Sequence, residues 1–212
     1  MKESQIIVLG IILISLAIGI YLYPQMPERM AFHWNVEGQA DSYVSKSFAL
    51  FFEPFLSIGL FLLFIAIPRI DPLKENIEKF RKYYDGFVMF FILFLFYLYL
   101  LIISWNLNIQ FSMMQALAPA FGILFYFAGV LCEHAKRNWF IGIRTPWTLS
   151  NEAVWEKTHK IGGKLFKACG IIAFLGIVVD KFALYFILLP VIMVTVYTTV
   201  YSYFEYKKQI RL

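Results

Sequence analysis

From Gln5 to Tyr23 the chain carries no charged side chain at all. About twenty apolar residues in a row are what an α-helix needs to cross the hydrocarbon core of a bilayer. Five more runs follow: Phe48–Ile67, Phe87–Trp105, Met113–Cys132, the shorter Leu165–Val179, and Phe182–Phe204. Hydrophobic residues make up 60% of the 212 and charged residues 16%, whereas a soluble domain is about half apolar and a quarter charged. Inside a bilayer the backbone must bond to itself, which leaves helices as the solution for segments of this kind. The prediction is an all-α integral membrane protein of six transmembrane helices, organised as one membrane domain over residues 1–212. The first run has no small-residue cleavage site and ends at Tyr23-Pro24, so it reads as a retained helix rather than a signal peptide.

Lysine and arginine set the orientation, because cytoplasmic loops retain them. With both termini inside, sixteen of the 19 basic residues fall on the cytoplasmic side; only Arg29, Lys46 and Lys181 fall outside. The net charge of +5 is thus a topology signal, and no direct nucleic-acid binding is expected. The protein is placed in the cell membrane as a multi-pass chain, with the bilayer as its first partner. Cys132 and Cys169 are too few for a disulfide framework and lack metal-ligand spacing.

The charged connection after the second span reads as a helix start at Asp71-Pro72, with Glu75/Lys79 and Glu78/Lys82 pairs one turn apart. The third span is expected to begin there and enter the membrane through Asp85-Gly86. Short connections make spans three and four, and five and six, antiparallel hairpins. Two polar segments remain: an outer motif loop at 24–47 and a cytoplasmic motif segment at 133–164.

The cytoplasmic segment holds "RNWFIGIRTPWTLSNEAVWEKTHKIGGK". Pro146 excludes helix at Thr145, and Ser150 reads as the N-cap of a helix stapled by Leu149 and Val154. That helix would align Trp155, His159, Gly162 and Phe166 on one face with Lys157, Lys160 and Lys164 on another, as in an interfacial helix. Gly162-Gly163 would permit a bend or a close approach. Arg137 and Arg144, with Asn138 and Thr145, would either hold an anionic group or anchor the interface, with Trp139, Trp147 and Trp155 as its aromatic belt. His134 and His159 have no partner at metal-site spacing.

The outer segment, "MPERMAFHWNVEGQADSYVSK", packs His33, Trp34, Glu37 and Asp41 close together. A metal site would need a further ligand such as Glu53 or Asp180, and Gly38, Pro24 and Pro27 argue for irregular backbone. Trp34 and Tyr43 would seat it at the interface or anchor an external peptide. Glu53 is either an intramembrane carboxylate that handles protons or cations, or a helix N-cap before Pro54; the cap reading is preferred.

The Arg137–Gly163 stretch resembles the signature of the SdpI immunity-protein family, carried here by Arg137, Asn138, Gly142, Arg144, Thr145, Pro146, Trp147, Trp155, His159 and Gly163. Met26–Lys46 resembles the amino-terminal domain of unknown function commonly fused to it, through Pro27, His33, Trp34, Asn35, Gly38, Asp41 and Lys46. The resemblance implies a six-helix protein that guards against a secreted, membrane-active toxic peptide. It also implies a link to a cytoplasmic transcriptional repressor. It supplies no established catalytic residues, and no metal or cofactor is expected. The alternatives are a metal-dependent membrane enzyme or a small transporter. Motif segments on opposite faces speak against one active site, and the absence of mid-span charges beside Pro119 and Pro190 speaks against a transporter.

Overall fold

The computed structural model describes residues 3–109 and 111–210. Lys2 and Arg211, which entered the charge count, lie outside the described residues. The chain forms helix α1 (Glu3–Leu22), strands β1 (Arg29–Trp34) and β2 (Ala40–Ser45), helices α2 (Lys46–Ile70), α3 (Lys74–Lys79), α4 (Arg81–Asn106), α5 (Met113–His134), α6 (Pro146–Ser150), α7 (Glu152–Ala173) and α8 (Ala183–Gln209). The fold is helical, as expected, apart from one antiparallel β-hairpin where irregular backbone was expected.

Among the described residues, five helical stretches are long and apolar enough to cross a membrane: Glu3–Leu22, Lys46–Ile70, Arg81–Asn106, Met113–His134 and Asp180–Gln209. The expected fifth span, Leu165–Val179, is not a separate element. Its helical part is the second half of α7, which starts in the basic segment and gives way to 3₁₀ turns at Phe174–Ile177 and Asp180–Phe182. Lys167, inside that run, reaches Glu133 on α5 at 2.7 Å.

Glycine explains how a helix with four lysines packs so closely. Gly122 and Gly129 on α5 face Gly170 and Gly163 on α7. A Cβ on Gly129 would stand 2.5 Å from the Gly163 carbonyl oxygen, and one on Gly170 equally close to the Gly122 oxygen. Both helices thus space their glycines seven residues apart, which brings two antiparallel backbones together. Small residues are how helices associate where lipid removes the hydrophobic drive. The Gly162-Gly163 pair therefore serves approach, without a bend.

Tyrosine hydroxyls fasten the other helices. Tyr84 donates to the Phe64 carbonyl at 2.8 Å, Tyr97 to that of Ala116 at 2.9 Å, and Tyr99 to that of Ser15 at 3.2 Å. The stretch after α2 departs from the expected single helix. Asp71 caps the end of α2, and its Oδ1 accepts from the Leu73 N–H. The short α3 then ends at Phe80, whose backbone (φ −121°, ψ 20°) separates it from α4. Arg81, rather than the expected lysines, collects the carboxylates, at 2.8 Å from both Glu78 and Asp85.

The hairpin and the basic segment occupy opposite ends of α2. Its first residue follows β2 directly, and Asp71 at its other end accepts from the Trp139 N–H at 2.9 Å. A helix of 25 residues separates them by about 37 Å.

Candidate functional segments

The hairpin is built by its turn and its floor. Asn35 Oδ1 accepts from the backbone N–H groups of Glu37 and Gln39, and Gly38 adopts φ 75°, which glycine reaches at little cost. His33 Nδ1 pairs with Asp41 Oδ1 across the strands at 2.6 Å, on the exposed face. Glu37 sits in the turn, apart from that pair. No group of three His, Cys, Asp or Glu side chains gathers for a metal among the described residues. Lys46 closes the base, bonded to Glu28 at 2.8 Å and lying over the Tyr23 ring. Pro27 lies exposed in the approach to β1.

On the other face Met26 and Met30 are buried against Ala49, Leu50, Tyr99 and Ile103, and Ala31 is buried as well. Trp34 meets Trp105 edge to face, ring centres 5.6 Å apart. The decisive tie is Asn106, at the end of α4. Its Oδ1 accepts from the Ala31 N–H at 2.8 Å, and its Nδ2 donates to the Ala31 carbonyl at 3.0 Å. One side-chain amide thus occupies the inward edge of β1 as a neighbouring strand would.

The basic segment is held from within. Asn138 is fully buried. Its Nδ2 donates to the carbonyls of Lys136 and Ile141, and its Oδ1 accepts from the N–H groups of Phe140 and Ile141. Gly142 has φ 107° and lies against His159. His159 Nε2 accepts from the Ile143 N–H at 2.9 Å, so its proton is on Nδ1, which donates to the Trp155 carbonyl at 2.9 Å. Burial pushes this imidazole down to about 4, against a weaker opposing pull from the Trp155 carbonyl. It is a neutral structural histidine. Trp155 stacks on it, centres 3.8 Å apart, and donates Nε1–H to the Ala135 carbonyl at 2.8 Å.

Thr145 and Thr148 form a reciprocal capping box around Pro146 at the start of α6, and Thr145 also bonds Ser202 on α8 at 3.0 Å. Trp147 packs against Tyr203. The cap of α7 is Asn151, which accepts from the Val154 N–H, and not Ser150, which ends α6. The aromatic stripe of α7 also proves internal: Trp155 is 0% and His159 1% exposed. It is core, and Trp155 is no part of an interfacial belt. Arg137 is spent on the Leu149 carbonyl and on Glu152. Trp139, Phe140 and Arg144 remain exposed, with Arg144 bonded back to the Trp139 carbonyl at 2.8 Å.

Residues 134–202 match the SdpI/YfhL protein family, and residues 10–58 match Domain of unknown function (DUF1648). The chain carries an SdpI/YfhL segment. Immunity protein SdpI of Bacillus subtilis (strain 168) is 28% identical over 207 residues, 97% of this chain and 97% of that one. No solved structure matches. The resemblance read from the two motifs therefore holds, and with the apolar helices it makes this a multi-pass membrane protein.

The SdpI/YfhL segment coincides with the basic segment, α7 and most of α8, and the amino-terminal match spans most of α1, the hairpin and the start of α2. Several working residues escaped the sequence reading: Asn106, Asp71 as a clasp, Thr148 and Asn151. Asn106 had no signal beyond a polar residue ending an apolar run. Asn151 followed a serine that looked equally able to cap.

α2 begins at Lys46 with Ser45 as its cap, so Glu53 stands two turns inside the helix, and the N-cap reading is wrong. It is 8% exposed and accepts from Ser57 Oγ at 2.6 Å.

Proposed function

We propose that this chain is a membrane immunity protein that protects its cell against a membrane-active toxic peptide. Near-complete coverage of Immunity protein SdpI at 28% identity carries this reading. The apolar helices support the membrane as its place of action.

In this reading the chain makes six crossings, α7 supplying the fifth, with both termini cytoplasmic and the hairpin outside. The distribution of lysine and arginine supports that orientation. The hairpin, clamped by Asn106 and exposing Tyr43 and the His33–Asp41 pair, meets the peptide. The basic segment, with Trp139, Phe140 and Arg144 exposed, faces the cytoplasm and is where a repressor would dock. The protein works by binding, without catalysis.

The test is survival of cells that depend on this chain when they are challenged with the cognate peptide. Replacing residues 26–46 with a glycine–serine linker should abolish protection at unchanged membrane abundance. Full survival would refute the assignment of the hairpin. For the relay, Arg144→Ala with Trp139→Ala should lose recruitment of the repressor while peptide binding persists.

A further inference from the structure

Glu53 lies seven residues into α2, about 10 Å along the helix from its start, and faces α1 and α4. Around it are Ser57 from its own helix, Ser15 from α1 and Tyr99 from α4. All three are completely buried. Pro54, the next residue, has no N–H for the Leu50 carbonyl, whose helical bond is lost. That oxygen points at Gly19, where an added Cβ would stand 3.0 Å both from it and from the Tyr99 hydroxyl. Oxygen atoms from three helices thus gather where the surroundings are otherwise apolar.

The carboxyl is only half satisfied. Oε1 accepts from Ser57, whereas Oε2 is buried with no hydrogen-bond partner among the described residues; the Ser15 hydroxyl beside the carboxyl donates to the Ile11 carbonyl. No lysine, arginine or histidine faces it: α1 has none from Gln5 onward, and α4 has none after Lys82. Tyr99 is the titratable group beside it. An unpaired carboxylate so placed is strongly disfavoured because nothing replaces its hydration, whereas an added proton removes the charge and gives Oε2 a hydrogen to share.

We propose that Glu53 is an intramembrane proton-binding site, its carboxyl carrying the proton on Oε2 while Oε1 accepts from Ser57. Ser15 and Tyr99 line the site. It lies beneath the hairpin, because Tyr99 also belongs to the apolar floor under Met26 and Met30. The site does not depend on toxin immunity.

The experiment uses the full chain in membranes, treated with dicyclohexylcarbodiimide, a reagent selective for protonated carboxyls in apolar surroundings. The expected result is one adduct, on the peptide containing Glu53, and its loss in Glu53→Gln. Infrared difference spectra of the same pair should show a protonated-carboxyl carbonyl band, shifted in heavy water, that Glu53→Gln removes. Absence of that band overturns the proposal whatever the labelling yield. Protection of Glu53 by sodium, compared with choline at equal pH and ionic strength, would also overturn it, because the site would then hold an alkali cation.

Discussion

Gly142 and His159 share a space that admits only one side chain: a Cβ on the glycine would overlap the Nε2 that holds the Ile143 N–H. Gly142→Ala meets this clash and a φ of 107° together. The expected loss is on the order of 2 kcal/mol or more, read as a lower unfolding temperature in detergent. Gly38→Ala, also at positive φ but in open space, should cost about 1 kcal/mol.

His159 makes stability depend on acidity. Its folded value is about 4 against 6.5 for the free side chain, so between these values the unfolded chain binds a proton that the folded chain refuses. The contribution is complete above 6.5 and declines as pH falls toward 4, by at most about 3 kcal/mol. Unfolding temperatures measured across that window should fall for the native chain. His159→Gln should flatten this part of the profile, whatever its own starting stability.

Asn106 also donates to the Ile102 carbonyl within α4, and its two bonds to Ala31 should be separable. Asn106→Asp keeps the acceptor for the Ala31 N–H and loses the donor to its carbonyl; Asn106→Ala loses both. At about 1 kcal/mol per bond, hydrogen exchange at the hairpin amides should quicken roughly fivefold in the first and about thirtyfold in the second. Equal rates in all three proteins would show that the apolar floor alone holds the hairpin.

The α5–α7 contact predicts a contrast among glycines. Gly129→Ala drives a methyl into the Gly163 backbone and should cost more than about 2 kcal/mol, with the helices forced apart. Gly59→Ala meets nothing within 4 Å and should be neutral, or stabilising by up to about 1 kcal/mol. Thermal unfolding of the two variants in one detergent decides it.

Much of the architecture could be read from the chain because hydrocarbon imposes few solutions, and charge-free runs such as Gln5–Tyr23 mark helices plainly. The fifth run misleads at its start for a physical reason: hydropathy weighs side chains singly, while α7 begins at Glu152 and packs through glycines that let Lys167 find Glu133 on α5. The hairpin was hidden by its own turn residues. Gly38 reads as a breaker, yet with Asn35 it is what folds the strands back on each other. In the basic segment the spacing of Trp155 and His159 was correct, but the face they mark turns to protein. Periodicity reports a buried stripe without saying what buries it. Asn138 and Arg137 looked like ligand groups, and the loop's own carbonyls consume them.

The amide of Asn106 has a directional consequence for the hairpin. One edge of the sheet is sealed by a residue that belongs to the bundle, and β2 pairs with β1 alone. Growth of this sheet can proceed from one side only, outward from the helices. An extended chain arriving there would lie antiparallel or parallel to Ala40–Ser45 without disturbing a single contact of the floor. The clamp therefore makes a two-stranded ribbon polar: one margin is committed to holding position, and on the other the Arg29 guanidinium covers the Tyr43 carbonyl and would have to give way to an arriving strand.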